Sequence, residues 1–377
     1  MKNRDKDLLE SLNQQSGGQG RRKRQRGAGT YVLGTFGCLA VLALVMYLGT
    51  RLYAWLDQLE EKEAGSVSAE QEEGRVYTQE ELDAQVQAAA EKAATEATFQ
   101  ENQRILGELK NKLSSGETTV ETLRPLYPEE LVLVSNGTFH FVPIREDLQK
   151  NALTQENLNI LESGEYQYLE NGEVVSHKGI DVSRHQGVID WEKVSAAGVE
   201  FAFLRVGYRG YGNGAMVADE QFESNIKGAV GAGVKVGVYY FSQAVSEEEA
   251  LEEAAFVLEQ IAPYKVECPV VFDVEKVADE GARMNQITVE ERTRIVRAFC
   301  DRIQEAGYIP MIYHNMEMGV LLLDLSELEG YEKWFAYYSQ NLYYPYAYRV
   351  WQYSDTGVVD GIGGPVDLNI SLRMWES

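Results

Sequence analysis

Cysteine is scarce in this chain, which carries only Cys38, Cys268 and Cys300 in 377 residues. That excludes a disulfide-stapled scaffold. Cys268 opens an apolar strand pattern and Cys300 lies on a helical one, so both are expected as buried free thiols. Histidine is nearly as scarce, with four residues and no His-x-His or His-Glu-x-x-His cluster. Asp181, Asp273, Glu275, His314 and Asp367 could in principle supply ligands, but with His185 and His314 standing singly no metal or other cofactor is expected. Basic charge is also short, 35 Lys and Arg against 59 Asp and Glu for a net charge of -24. Phosphate recognition needs clustered cations, so nucleic acid is not expected as a partner of the folded part.

Charge of either sign is missing altogether between Gly27 and Thr50. A stretch of that length suits a bilayer-spanning helix. Arg21, Arg22, Lys23, Arg24 and Arg26 precede it, and Glu60, Glu61, Glu63, Glu70, Glu72 and Glu73 follow. This asymmetry predicts single-pass insertion in the cell membrane with a cytoplasmic N-terminus and the bulk of the chain outside. No Ala-x-Ala site closes the apolar run, which disfavours a cleaved signal peptide. Thr35 stands where a lipoprotein signal needs a leucine-like residue before Cys38, which disfavours lipidation.

Five segments are therefore expected: a basic cytoplasmic tail over 1–28, a transmembrane helix over 29–53, an acidic linker and helical stalk over 54–116, a small α+β subdomain over 117–176, and a catalytic domain over 177–377. In the stalk, Leu82, Val86, Ala89 and Ala93 follow a 4-3-4 spacing that Leu106, Leu109 and Leu113 resume. That seam makes self-association a minor expectation. Asn136-Gly137 and Asn171-Gly172 each separate two short apolar runs, the pattern of hairpins with type I′ turns.

From Lys178 onward, short apolar strands alternate with amphipathic helices. Strands are expected over 179–182, 201–206, 234–241, 269–274, 309–313, 334–337 and 349–352, and helices over 191–197, 219–232, 246–261 and 288–306. Gly198, Gly233 and Gly307 follow helices, where a left-handed C-cap is wanted. The alternation predicts an α/β fold with a parallel sheet, most simply a closed or nearly closed β/α barrel, whose active site lies at the C-terminal ends of its strands.

The most informative stretch is Cys268-Pro269-Val270-Val271-Phe272-Asp273-Val274-Glu275, a buried strand ending in two acids. Alternation puts Asp273 and Glu275 on one face, roughly 6–7 Å apart along the strand. That arrangement suits general acid chemistry at a glycosidic bond, with helix capping or metal binding as the plainer readings. The other strand ends supply Asp181, Arg205, Tyr239 with Tyr240, Tyr313 with His314, Tyr337, and Gln352 with Tyr353. Acids beside many of the 22 tyrosines point to a sugar substrate, since an aromatic ring offers an apolar face and a polar edge.

Gly179-Ile180-Asp181-Val182-Ser183 with His185-Gln186-Gly187, Phe203-Leu204-Arg205, Gly237-Val238-Tyr239-Tyr240-Phe241, Val271-Phe272-Asp273-Val274-Glu275, Val350-Trp351-Gln352-Tyr353 and Val366-Asp367-Leu368-Asn369 together resemble glycoside hydrolase family 25, the Chalaropsis-type lysozymes. The resemblance spans about residues 178–373. It implies an irregular, incomplete β/α barrel and an N-acetylmuramidase acting on peptidoglycan glycan strands. On this resemblance Glu275 is the general acid, Asp273 polarises the substrate's 2-acetamido group, and Asp181 and Asp367 complete the acidic site. Tyr240 departs from the histidine common in the family, which bears on substrate contacts. A catalytically silent wall-binding tether and a wall-opening component of a secretion or conjugation machine are the alternative functions.

Overall fold

The computed structural model describes residues 78–375. The membrane span expected over 29–53 lies outside the described residues, and among those described no helix is long and apolar enough to cross a membrane.

Helix α1 (Gln79–Ser114) begins at a reciprocal cap, in which Thr78 Oγ1 accepts from Glu81 N and Glu81 Oε2 accepts from Thr78 N. None of its side chains is buried, and Leu82, Val86, Leu106 and Leu113 are exposed. Its helicity matches its sequence pattern, while the apolar seam faces solvent within this chain.

The residues from Asn111 on form a second compact unit. After α2 (Thr119–Leu123) come the hairpin β1 (Glu130–Ser135) and β2 (Thr138–Pro143), then a small antiparallel sheet of β3 (Leu158–Ile160), β4 (Tyr166–Glu170) and β5 (Glu173–Val174). Both Asn-Gly turns form as expected, with φ of 49° and 77° at Asn136 and Gly137, and 53° and 84° at Asn171 and Gly172. Leu131, Leu133, Leu148 and Tyr168 join the same apolar core as the barrel that follows.

That barrel consists of β6 (His177–Val182), α3 (Trp191–Ala196), β7 (Phe201–Arg209), β8 (Met216–Ala218), α4 (Phe222–Gly231), β9 (Lys235–Ser242), α5 (Glu247–Ile261), β10 (Val270–Val274), α6 (Val289–Glu305), β11 (Pro310–Asn315), β12 (Glu332–Ala336), β13 (Val350–Gly357) and β14 (Val366–Ser371). The sheet runs β6-β14-β13-β12-β11-β10-β9-β7, and β7 pairs back with β6. The ring is therefore closed, as the strand–helix alternation suggests, which corrects the incomplete barrel that the resemblance implies. Its irregularity lies elsewhere: β14 is antiparallel to both neighbours, β13 and β6, and β8 folds back on β7 as an added hairpin. Neither β8 nor β14 stood among the expected strands, and β14 supplies the closure.

Strand alternation sorts the side chains into two cores. Phe201, Phe203, Val271, Met311, Trp334 and Val350 fill the inside of the ring, with Trp375 packed against both phenylalanines. The rings fit because Gly179 and Gly237 face them, and a Cβ there would stand 2.2 Å and 2.5 Å from the nearest ring atoms of Phe201 and Phe203. Outside, Ala202, Leu204, Val236, Val238, Phe272 and Ile312 meet the apolar faces of the helices, among them Val257 and Ile261 of α5 and Ile295 and Phe299 of α6. Helix α6 begins in a Thr288–Glu291 capping box. Ser246 caps α5 by accepting from Glu249 N, while the Glu249 carboxylate accepts from Val245 N rather than from Ser246. Cys268 and Cys300 are buried free thiols, as expected.

Candidate active site

The plugged interior leaves a cavity of about 420 Å³ whose lining includes the carboxylates Asp181, Asp273, Glu275, Asp355 and Asp367. Period-two alternation explains the convergence. On β10, Val271 and Asp273 face inward while Val270, Phe272 and Val274 face the helices, and Glu275 continues the inward row. Across the sheet, Asp181 of β6 and Asp367 of β14 are direct register partners, and Asp273 of β10 is paired with Tyr313 of β11. Asp181 and Asp273 are nearly buried, at 6% and 5% exposure. Glu275 and Asp367 are half-buried and reach the open part of the cavity.

A hydrogen-bond network fixes the most buried acid. Gln352 Nε2 and Asn369 Nδ2 both donate to Asp181 Oδ2 at 2.8 Å. Gln352 Oε1 in turn accepts from the Tyr313 and Tyr338 hydroxyls, each at 2.8 Å, and Trp334 Nε1 donates to Asn369 Oδ1 at 2.8 Å. Burial pushes the Asp181 carboxyl up to about 6 even though both amide donors pull it the other way. Burial, followed by the neighbouring carboxylates, raises the Tyr313 and Tyr338 phenols, so both stay neutral donors. Arg205 lies inside with its Nε 2.8 Å from Asp219 Oδ2, the two side chains 5% and 0% exposed. Asp219 also accepts from Arg184 N and Gln221 N, which ties this ion pair to the loop after β6.

Of the expected substrate-binding residues, Arg205, Tyr239, Tyr313 and Gln352 line the cavity with the four expected acids. Three do not. Tyr240 is fully buried on the outer side of β9 against Phe256 of α5, Tyr337 points outward and is bonded by Arg124, and Tyr353 lies under Tyr166. Each is sequence neighbour to a residue of inward parity, so the strand that brings Tyr239 or Gln352 in must turn Tyr240 or Tyr353 out. His314 is likewise buried outward against Phe335 and Tyr344, where burial pushes its imidazole down to about 4. Tyr338, Asn369 and Asp355 are site residues that the sequence analysis did not assign. For Tyr338 the signal was present, since 334, 336 and 338 share one parity along β12 and its exit.

The sequence model for "Glycosyl hydrolases family 25" matches residues 180–362. The chain is 32% identical over 206 residues to the Uncharacterized protein YegX of Escherichia coli, covering 51% of this chain and 68% of that one. It is 28% identical over 195 residues to the Autolytic lysozyme of Clostridium acetobutylicum, spanning 55% of that protein's length. Among solved structures, the modular autolysin LytC of Streptococcus pneumoniae aligns with a TM-score of 0.47 at 23% identity, covering 63% of this chain and 57% of the autolysin. A family 25 glycosyl hydrolase from Bacillus anthracis aligns with a TM-score of 0.43 at 24% identity, covering 56% of this chain and 94% of that one.

Proposed function

Because this chain belongs to glycosyl hydrolase family 25 and is a glycoside hydrolase of the lysozyme type, we propose that it cleaves the β-1,4 bond between N-acetylmuramic acid and N-acetylglucosamine in peptidoglycan. The observation that carries this reading is the inward pair Asp273 and Glu275 at the end of β10, in a cavity shared with Asp181 and Asp367. Glu275 is the general acid: its carboxyl donates a proton to the glycosidic oxygen as the bond to the sugar's anomeric carbon breaks. The 2-acetamido carbonyl oxygen of the same sugar attacks that carbon, and positive charge develops on the acetamido nitrogen. Asp273 lies one inward position before Glu275 and stabilises that charge electrostatically. Water then opens the cyclic intermediate, with the Glu275 carboxylate taking its proton. Asp181, held by Gln352 and Asn369, keeps the floor of the site polar and rigid.

The topology proposed from the sequence places this site outside the cell membrane, with residues 29–53 as the anchor and the residues after them as a spacer. Its support is the charge-free run between a basic and an acidic segment, together with a substrate found only outside that membrane. Digesting purified peptidoglycan with the full chain tests the reaction. New reducing ends carried by N-acetylmuramic acid are expected, and ends carried by N-acetylglucosamine, or none, would overturn it.

A further inference from the structure

The catalytic cavity continues sideways. A second groove of about 460 Å³ shares Tyr338, Asp355 and Thr356 with it and runs on past Tyr166, Gln340 and Asn341. Part of its wall comes from outside the family-matched span, since Glu121 and Tyr166 precede residue 180. Tyr166 lies flat on Tyr353, ring centroids 4.2 Å apart and planes 8° apart, and its hydroxyl donates to Ser339 O at 3.3 Å. Gln155 holds the same loop from both sides: its Nε2 donates to Gln340 O and its Oε1 accepts from Leu342 N, each at 2.9 Å. The segment before the barrel therefore builds this groove rather than merely adjoining it.

Apart from the carboxylates of Glu121 and Asp355, the groove lining is polar and uncharged, which suits a neutral polar ligand. Ser339, Ser354 and Thr356 offer hydroxyls, Gln340 and Asn341 offer amides, and Tyr338 offers a half-open ring. The Glu121 carboxylate is engaged at home, with its Oε2 accepting from Thr118 N and Oγ1 as the cap of α2. Resting on the muramidase reading above, we infer that this groove is a distal subsite for the glycan strand. It binds sugars one or more residues away from the scissile bond, and the region 117–176 acts as a chain-length selector. A sugar ring fits such a wall through its apolar face on tyrosine and its hydroxyl and acetamido groups on the amides.

The test uses the full chain and peptide-free glycan chains of two lengths, a tetrasaccharide and a long oligomer. The wild type is expected to favour the long chain by about tenfold in kcat/KM, mostly through KM. In Gln340→Ala/Asn341→Ala, and in Gln340→Trp, which fills the groove, that preference falls toward one. Equal rates for the two lengths in the wild type, or a preference that survives both variants, overturns the inference. So does a preference seen only with peptide-bearing strands, which would make the groove a stem-peptide site. Calorimetric binding of the same peptide-free chains to Glu275→Gln reads the subsite without turnover. Length-dependent affinity there supports the subsite even if no cleavage is found, and length-independent affinity contradicts it while leaving the muramidase reading standing.

Discussion

Asp181 couples the site to the stability of the fold, and Asp181→Asn measures that coupling. Its carboxyl is 6% exposed and is moved by burial from an ordinary value of 3.8 to about 6. At about 1.4 kcal/mol per pH unit, this corresponds to about 3 kcal/mol of differential interaction. The sign follows from proton binding: between about pH 4 and 6 the folded state holds a proton that the unfolded chain has released. Stability from this group is therefore complete below about pH 4 and is lost as the pH rises through 6. Asparagine carries no charge and can still present one carbonyl oxygen to Gln352 and Asn369. The Tm of the variant relative to wild type is thus expected to climb between pH 4 and pH 8, at about 2–4 °C per kcal/mol for a domain of this size. Differential scanning calorimetry across that range reads the trend, and titrating groups remote from the cavity cancel in the difference. A variant that melts with a constant offset at all pH values would refute burial as the source of the raised carboxyl. If glycan cleavage falls while the fold gains stability above pH 6, the charge is retained for function rather than for folding.

Asp273→Asn keeps the shape of the β10 end but removes the anion, so kcat on peptidoglycan should fall by about 10²-fold or more with little change in melting; a variant near wild-type turnover removes Asp273 from the mechanism. Asp219→Ala removes the carboxylate that accepts from Arg205 Nε in the interior, and chemical denaturation should show a loss of about 1.5–3 kcal/mol. A loss under about 1 kcal/mol would mean that the ion pair is replaceable by solvent. Protease added to wall-stripped, intact cells should release an active fragment containing residues 178–377, and a fragment released only after lysis would reverse the proposed topology.

Much of this site could be read from residue order, because strands impose a period of two and helices one near 3.6. The Asp273-Val274-Glu275 spacing alone put both acids on one face, and the structure has both in the cavity. The same period lets only one member of each of the Tyr239-Tyr240, Gln352-Tyr353 and Tyr337-Tyr338 pairs face inward, and Tyr239, Gln352 and Tyr338 are the ones in the cavity. Ring closure was harder to foresee, since it depends on β14 entering antiparallel between β13 and β6. Pairing partners that distant in sequence leave no local periodic signal. The groove beside the site was also hidden, because Tyr166 and Ser339 are 173 positions apart and meet only in the folded chain.

The most direct test of the account is the rate of glycan cleavage by Glu275→Gln against wild type, on the same purified peptidoglycan and at the same pH. Glutamine preserves the volume at the end of β10 but has no proton to deliver to the leaving oxygen. If Glu275 is the general acid, melting is unchanged and the rate falls by about 10²- to 10⁴-fold. Cleavage within a few-fold of wild type by a folded Glu275→Gln protein would contradict that role.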